Sequence, residues 1–337
     1  MKTREGDLIE TTEGLIFDVK GLVHPPKKTI AFIRYFPNER GKRKRKKRVY
    51  EKIYSLSKRY EWLKQHFPQY LVYDPYFDEV LCEVPDVAVK VYYKPVEKAA
   101  SLRKAKNLGE LEDKALEMAT LLKNSANISW NDIGISGSIL VDLLTTASDI
   151  DLIIYGTKNC SKVYSALKQL LEERRSPLKP YTIEDLGALF KFRSKDSSGN
   201  FKDFVKTESR KAMQGKFEQT DYFIRFVKDW DEIDEKYGDV QYKNLGCARI
   251  KATISVDSES IFTPCKYMLE NVKVIEGQEL QQISEISSFR GRFCEQARIG
   301  EAIVAQGKIE KVIDRRQNRE YYRLLIGNKP SDFIVLA

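Results

Sequence analysis

Apolar and polar residues alternate in different ways along three stretches of the chain. Residues 1–96 contain short alternating runs, and the aromatic, β-branched segment from Thr29 to Phe36 is typical of a strand. Residues 97–240 repeat apolar side chains at helical spacing on either side of two strand patterns. From residue 241 onward short strand patterns return, separated by Gly and Asn turns, which favours a small β-barrel.

These patterns predict an α/β (α+β) protein of three domains. The expected domains are a β-rich domain at 1–96, a domain with a mixed sheet and flanking helices at 97–240, and a small β-barrel at 241–337. Within the central domain we expect helices at 97–126, 160–175 and 201–215, strands at 150–155 and 220–228, and a loop at 195–200. A hydrophobic fraction of 42% supplies enough apolar residues for packed cores.

The composition argues against several classes of protein. No apolar run reaches the ~18 residues of a transmembrane helix, and the segment after Met1 lacks the apolar stretch of a signal peptide. The 5 cysteines are scattered without a Cys-x-x-Cys, and the chain has only 2 histidines. A cytoplasmic protein with free thiols is therefore expected, rather than one with disulfides, a zinc site or a histidine base.

The most specific chemistry is predicted between residues 134 and 156. Gly137-Ser138 opens a short apolar helix pattern, and Asp149-Ile150-Asp151 leads into an apolar strand pattern. Because a strand repeats every two residues, Asp149 and Asp151 face the same side, ~6.6 Å apart at ~3.3 Å per residue. Such carboxylates can share one or two divalent cations, and a glycine at a helix start lets the backbone approach a phosphate. An isolated Asp-x-Asp is more often a solvated turn, so the interpretation depends on the combination.

This combination resembles the signature of the DNA polymerase β-like nucleotidyltransferase superfamily. That group includes CCA-adding enzymes, poly(A) polymerases, enzymes that modify small molecules, and antitoxin-type members; the chain looks like an archaeal member. The resemblance covers roughly residues 100–240. It implies that Asp149 and Asp151 bind Mg²⁺ (or Mn²⁺), and that Gly137, Ser138 and Ser148 hold the NTP substrate.

The superfamily usually takes a third carboxylate from a later strand of the same sheet, as a base or a further metal ligand. Asp221, which heads the strand pattern at 220–228, is predicted for this role, with Asp229 and Asp203 as the next choices. The interval from Asp151 is long, and a capping role for Asp221 is the alternative.

Three basic residues near that strand are predicted to face the triphosphate. Arg225 has the same strand parity as Asp221, so both side chains are expected on one side of the sheet. Arg210 and Lys211 are the other two. An ordinary ion pair or a solvated position is the alternative for each of them.

The net charge of +9 is concentrated in one short segment. Eight positive charges lie between residues 40 and 48, which leaves +1 for the rest of the chain. Strand patterns flank this segment, so it is predicted to form the tip of a long hairpin. A run of like charges is commonly a solvated loop, but its concentration here favours contact with nucleic-acid phosphates. The predicted contacts are Arg40, Lys42, Arg43, Lys44, Arg45, Lys46, Lys47 and Arg48.

The predicted reaction is the transfer of a nucleoside monophosphate from an NTP to a hydroxyl, with release of pyrophosphate. The basic segment and the flanking β domains favour a nucleic-acid acceptor, RNA more than DNA. Three alternatives stay open: a protein or small-molecule acceptor, a non-catalytic nucleic-acid-binding protein that keeps the fold, and a scaffold whose basic tip contacts an acidic partner. No membrane partner is expected, and the sequence leaves the oligomeric state open.

Overall fold

The computed structural model describes residues 2–194, 199–277 and 283–337. The loop predicted at 195–200 falls mainly in the first gap, so residues 195–198 lie outside the described residues. In the described ranges, no helix combines the length and the apolar character that spanning a membrane would need.

The helices, in chain order, are α1 (Leu56–His66), α2 (Pro95–Leu102), α3 (Glu110–Ala126), α4 (Gly137–Leu140), α5 (Thr157–Glu172), α6 (Ile183–Arg193) and α7 (Phe201–Glu208). The strands are β1 (Leu8–Thr11), β2 (Ile16–Val19), β3 (Lys28–Pro37), β4 (Arg43–Arg45), β5 (Arg48–Lys52), β6 (Leu71–Asp74), β7 (Glu79–Pro85), β8 (Val89–Tyr93), β9 (Ile133–Ile135), β10 (Ile150–Tyr155), β11 (Leu178–Lys179), β12 (Gln214–Phe217), β13 (Thr220–Val227), β14 (Val240–Val256), β15 (Cys265–Gly277), β16 (Ile283–Ser288), β17 (Ala302–Asp314), β18 (Arg319–Leu325) and β19 (Phe333–Leu336).

The chain folds into two compact units. The first contains the N-terminal residues through Tyr54, together with Glu83–Tyr181 and Ala212–Ile233. The second contains Ser55–Cys82, Thr182–Lys211 and Asp234–Ala337. The first unit thus combines most of the N-terminal β region with most of the central region, and the three predicted domains stay a prediction.

The first unit contains two sheets. The N-terminal sheet is antiparallel, in the order β4-β5-β3-β2-β1-β8. The second sheet has the order β11-β12-β13-β10-β9, with β10 parallel to β13 and antiparallel to β9. Helices α3 and α5 contact each other and β10 through their apolar faces. The α+β class with mixed sheets predicted from the sequence is therefore confirmed.

A shared core joins the N-terminal sheet to the segment after α4. Tyr35 and Tyr50 of that sheet are buried in one cluster with Leu140, Val141 and Leu143. Burying a side chain of this size contributes roughly 1.5–3 kcal/mol. This packing fixes the segment that leads from Gly137 toward the two aspartates.

The second unit is built on a ring of strands. β14 pairs with β15, β15 with β16, β16 with β18, β18 with β17, and β17 pairs back to β14. Only the β16–β18 pair in this ring is parallel, among the residues that the structure describes. β19 pairs with β17 at residues 303–306, on the edge that β18 occupies from residue 308 onward, and β6 pairs with β7 in the same unit.

Two predicted helices are shorter than expected. The helix predicted at 97–126 is interrupted before Glu110, and the Gly109 amide donates to Glu112 Oε2 at 3.2 Å where α3 begins. The helix predicted at 201–215 ends at Glu208, and Gln214–Phe217 is a strand paired with β13. That pairing partner comes later in the chain, so local spacing could not reveal it.

Candidate active site

Gly137 brings the start of α4 against the carboxylate of Asp151. The Ser136 amide donates to the Asp151 carbonyl at 2.8 Å, which fixes the two segments side by side. The φ angle of Gly137 is +62°, and a β-carbon at this position would overlap Asp151 Oδ2. Only glycine satisfies both conditions, because the backbone is left-handed and no side chain fits.

Asp149 and Asp151 are neighbouring carboxylates, and the negative charge of Asp149 disfavours ionisation of Asp151. Asp149 immediately precedes β10, Asp151 is its second residue, and both are half-buried. Burial and the neighbouring charge of Asp149 raise the pKa of Asp151 to about 7. The nearby cations Lys52, Arg225 and Arg34 act in the opposite direction without overcoming these effects. A divalent cation would relieve the repulsion, and Mg²⁺ prefers oxygen ligands.

Two of these cations come from the N-terminal sheet, which the sequence did not connect to the site. Arg34 lies on β3 and Lys52 ends β5. Burial lowers the pKa of Lys52 to about 7, Arg34 acts in the same direction, and the two aspartates oppose them. The site therefore offers positive charge to an anion as well as carboxylates to a metal.

A small cavity of about 30 Å³ lies beside Asp151. Its lining includes Asp18, Arg34, Gly137 and Arg225. This volume accommodates a water molecule or an ion, since a cavity of roughly 10–15 Å³ by the same measure is enough for one water. A nucleotide does not fit in it, so an NTP would lie outward of the cavity.

Asp18 is a carboxylate at the site that sequence reasoning missed. It lies on β2 between Phe17 and Val19, an apolar-Asp-apolar pattern that was visible in the sequence. Although burial opposes ionisation, Lys20 and Arg225 hold the pKa of Asp18 well below its usual range. Local patterns could not show that β2 lies against the aspartate pair.

The two predicted serine contacts differ in their bonding. Ser138 is buried, and its hydroxyl oxygen has no hydrogen-bond partner among the described residues. The Ser148 hydroxyl accepts the Thr145 amide at 2.8 Å and lies 3.3 Å from Arg43 Nη1. A buried hydroxyl without a partner is destabilising unless a ligand or water satisfies it. Ser138 therefore fits a phosphate contact, whereas Ser148 already stabilises the turn before Asp149.

Arg225 lies on the same side of the sheet as Asp151. It pairs in register with Ile153 across the parallel β10–β13 ladder. Its guanidinium donates to Glu5 Oε1 at 2.7 Å and lies 3.7 Å from Asp18 Oδ1. A triphosphate would have to compete with these two carboxylates, and the predicted contact stays a prediction.

Asp221 lies at the exposed start of β13. Its side chain is 57% exposed and lies 4.0 Å from Lys216 Nζ. The parallel register pairs Asp151 with Phe223, two residues after Asp221. Within the described ranges no three His, Cys, Asp or Glu side chains lie close enough together to hold a metal ion. The same register pairs Ile150 with Tyr222, so Asp221 precedes Tyr222 as Asp149 precedes Ile150, and the two residues stand at the same end of neighbouring strands. The role of Asp221 stays a prediction.

The other charged residues predicted near this strand form ion pairs. Asp229 binds Arg4 Nη1 at 2.9 Å. The remaining three, Asp203, Arg210 and Lys211, belong to the second unit, where each has an oppositely charged partner within that unit.

The basic segment forms the β4–β5 hairpin, and its two faces differ. Arg43 is 7% exposed and donates to the Leu143 carbonyl in the segment before Asp149. Arg45 Nη2 donates to both carboxylate oxygens of Glu10 at 2.8 Å. Each of these two arginines is bound within the first unit, and the nucleic-acid contact predicted for them stays a prediction. The exposed basic residues of the segment are Arg40, Lys42, Lys44, Lys46, Lys47 and Arg48.

Comparison with known proteins gives one full-length relationship. No protein-family model matches the chain, and no solved structure matches it. A protein of Methanocaldococcus jannaschii described as "Uncharacterized protein MJ1086" is 36% identical over 342 residues, covering 99% of this chain and 98% of the relative. The chain belongs to the same family as this archaeal protein.

Proposed function

We propose that this protein is a metal-dependent nucleotidyltransferase, which moves a nucleoside monophosphate from an NTP to a hydroxyl and releases pyrophosphate. The observation that carries the proposal is the contact between Gly137 and Asp151, next to the buried Ser138 hydroxyl. Groups suited to a phosphate therefore lie beside a carboxylate pair suited to a metal, which transfer of this kind needs. The resemblance to the DNA polymerase β-like superfamily supports the same reaction.

Asp149 and Asp151 are the residues that would hold Mg²⁺ or Mn²⁺. They fit such an ion because their half-buried carboxylates repel each other, as the raised pKa of Asp151 indicates. When bound, the metal would supply positive charge against the phosphate oxygens. We propose that Asp221 completes the carboxylate set once substrate is present, since it heads the strand next to β10.

The protein's own groups would position the substrate. The Ser138 hydroxyl, which has no partner among the described residues, can donate to a phosphate oxygen. Arg34 and Lys52 supply positive charge from the N-terminal sheet. Asp221, in the ionised form, would accept the proton of the attacking hydroxyl.

The exposed face of the β4–β5 hairpin supports a nucleic-acid acceptor, with RNA favoured over DNA. Lys44, Lys46 and Lys47 are exposed on this hairpin, while Arg43 and Arg45 anchor it from the other face. Because the hairpin is already held in place, less conformational entropy is lost when its exposed lysines bind a phosphate backbone. Such contacts are independent of sequence and weaken with salt.

The test is transfer of an α-phosphate label from each NTP to a mixed RNA pool in the presence of Mg²⁺ or Mn²⁺. The Asp149→Asn/Asp151→Asn double variant should lose transfer, because both metal ligands lose their charge. Asp142→Asn is the matched control, since Asp142 lies in the same segment but is exposed and pairs with Lys98 at 2.8 Å. Asp221→Asn should lower transfer about a hundredfold without loss of stability.

Equal transfer by the double variant and the native protein would overturn the proposal. Label that appears on protein instead of RNA would keep the chemistry and change the acceptor. Absence of transfer to any acceptor, with RNA binding equal in all variants, would favour a non-catalytic nucleic-acid-binding protein.

A further inference from the structure

The ring of strands in the second unit has the arrangement of a small barrel that binds oligonucleotides. Its first three strands, β14, β15 and β16, pair in sequence, and the fifth strand, β18, lies between the third and the fourth. The OB-fold is a five-stranded barrel of this type. Its ligands lie on the face of strands two and three, between the loop that joins strands one and two and the loop that joins strands four and five.

A groove of about 310 Å³ lies at the corresponding place. This volume is at the lower end of the ~300–1,000 Å³ range of small-ligand sites. The groove is formed by the segment between β14 and β15, by β15 and β16, and by the start of β18. Its lining includes Glu259, Lys266, Met268, Glu285, Arg319 and Tyr321.

The rim of the groove suits a phosphate backbone and a base. Lys266 and Arg319 supply positive charge, and the Arg319 guanidinium lies 4.8 Å from the centre of the Tyr321 ring. Arg315 and Arg316, on the turn that precedes β18, are exposed. Aromatic rings beside cations are the groups on which the bases of single strands stack.

Glu285 gives the groove a specific acceptor. It is 4% exposed, and within the part of the chain that the structure describes its Oε1 atom accepts no hydrogen bond. Its ion-pair partner Arg323 lies 3.9 Å away, beyond hydrogen-bond distance, and donates instead to Glu310 at 2.8 Å. A buried carboxylate oxygen without a donor is rare in folded proteins and suits a donor brought by a ligand.

We infer that this groove binds single-stranded nucleic acid and receives one guanine base. Guanine offers two adjacent donors, N1–H and the N2 amino group, and one carboxylate can accept both. Tyr321 would stack on the base, and Lys266 and Arg319 would contact the flanking phosphates. The inference does not rest on the proposed transferase activity, because it concerns binding alone.

The test measures fluorescence anisotropy of a short, labelled U-rich RNA strand with one central guanine, using the 337-residue chain without NTP or metal. The same strand with inosine in place of guanine lacks only the N2 amino group. The native protein should bind the guanine strand about tenfold more tightly than the inosine strand, within the usual discrimination of a paired contact. Phosphate contacts at the β4–β5 hairpin have no base preference, so the ratio of the affinities for the guanine and inosine strands measures binding in the groove.

Variants locate the site. Lys266→Ala and Arg319→Ala should each weaken binding about fivefold and reduce the salt slope by about 0.7. Lys273→Ala, at an exposed position on the same strand as Lys266, lies outside the groove lining and should leave the guanine preference unchanged. Glu285→Gln should abolish the preference for guanine over inosine, with folding checked by thermal denaturation.

Equal affinity for the guanine and inosine strands would overturn the inference, and that comparison needs no variant. Equal effects of Lys266→Ala and Lys273→Ala would also overturn it. Competition by free GMP at concentrations close to those of the strand would keep the guanine site and identify a mononucleotide as its ligand. Equal binding of a DNA strand with the same single guanine would support the site and show that the protein does not recognise the 2′-hydroxyl of RNA.

Discussion

Gly137 and Asp151 lie in contact because the missing side chain of Gly137 leaves the space that Asp151 Oδ2 occupies. We expect Gly137→Ala to push the Asp151 carboxylate away from the start of α4 and to strain the left-handed backbone. The strain should reduce the free energy of unfolding by about 1–3 kcal/mol. Transfer should fall by about a hundredfold, since small displacements of reacting groups have effects of this size.

Gly187→Ala provides the control for that substitution. Gly187 lies within α6, and no described atom outside its own helix lies within 4 Å of a β-carbon built there. Alanine in a helix interior is favoured over glycine by roughly 0.5–1 kcal/mol, so stability should rise slightly. A loss of transfer in Gly187→Ala similar to that in Gly137→Ala would mean that the effect is not local to the site.

Affinity for divalent cations should depend on pH through Asp151. Its pKa is raised to about 7, so below that pH most molecules carry a protonated carboxyl that must lose its proton before it binds a metal. Mn²⁺ affinity should therefore rise about tenfold per unit of pH up to pH 7 and level off above it. Without metal the sign for stability is opposite: a raised carboxyl pKa stabilises the fold at low pH, and this contribution is lost as pH rises through 7.

The Asp149→Asn variant tests whether the pH dependence of Mn²⁺ affinity comes from the charge coupling of the two aspartates rather than from a general loss of metal binding in acid. Removal of the neighbouring negative charge should lower the Asp151 pKa and shift the pH midpoint of Mn²⁺ affinity downward, while the affinity at pH 8 falls. The measurement is calorimetric titration with Mn²⁺ across the pH range. An unchanged midpoint in Asp149→Asn would contradict the charge coupling between the two aspartates.

Arg43 should act on the aspartate pair through the chain segment before Asp149. Its guanidinium donates to the Leu143 carbonyl and lies 3.3 Å from Ser148 Oγ. Arg43→Lys keeps the charge but loses the planar set of donors, and should reduce stability by about 1.5–3 kcal/mol. Thermal denaturation measures this loss, and Lys44→Ala, on the exposed face of the same strand, should change stability by less than about 0.5 kcal/mol. Equal losses in the two variants would refute the division of the hairpin into two faces.

Local spacing predicted the elements whose packing is set by near neighbours. The helical stripe of α3, with Met118 and Leu122 in it, is buried as its 3.6-residue period indicates. The joint placement of Gly137 and the aspartates also followed from a short stretch of chain. In each case the residues in contact are separated by few positions in the sequence, so the local pattern is sufficient to predict the contact.

The rest of the site depends on contacts between distant segments. Asp18, Arg34 and Lys52 reach the aspartates only because the N-terminal sheet packs against the segment after α4. Arg43 and Arg45 alternate with exposed lysines in the sequence, but nothing local shows which face of the hairpin is covered. Charge counted along the chain therefore overstated the number of cations available to a partner.

The exposed tip of the hairpin should contribute salt-dependent affinity for RNA. Lys46→Ala/Lys47→Ala removes two exposed charges and should reduce the slope of log K against log salt by about 1.4. Lys158→Ala/Lys162→Ala removes two exposed charges from α5 in the same unit and should leave the slope nearly unchanged. Binding to a mixed RNA pool at several salt concentrations measures both slopes, and equal reductions would show that the contact is not confined to the hairpin.

His24 should contribute a loss of stability in mild acid. Its Nδ1 accepts the Ile30 amide at 3.2 Å, so Nε2 carries the proton and donates to the Thr3 carbonyl at 3.1 Å. Burial lowers the pKa of His24 to about 4. The unfolded chain therefore binds a proton between about pH 6.5 and pH 4 that the folded protein does not, and up to about 3 kcal/mol is lost as pH falls through this window.

Asp7 acts in the opposite direction and makes the prediction testable. Burial raises its pKa to about 6, so the folded protein holds a proton between about pH 3.8 and pH 6 that the unfolded chain releases. Urea unfolding at pH 4, 5, 6 and 7 should show that His24→Gln gains stability relative to the native protein as pH falls, because the destabilising protonation is removed. Asp7→Asn should show a steeper loss toward acid, since the compensating group is gone. Parallel curves of unfolding free energy against pH for the two variants would contradict both assignments. Opposite changes in the slope of these curves are expected if burial lowers the pKa of His24 and raises the pKa of Asp7 in the folded protein.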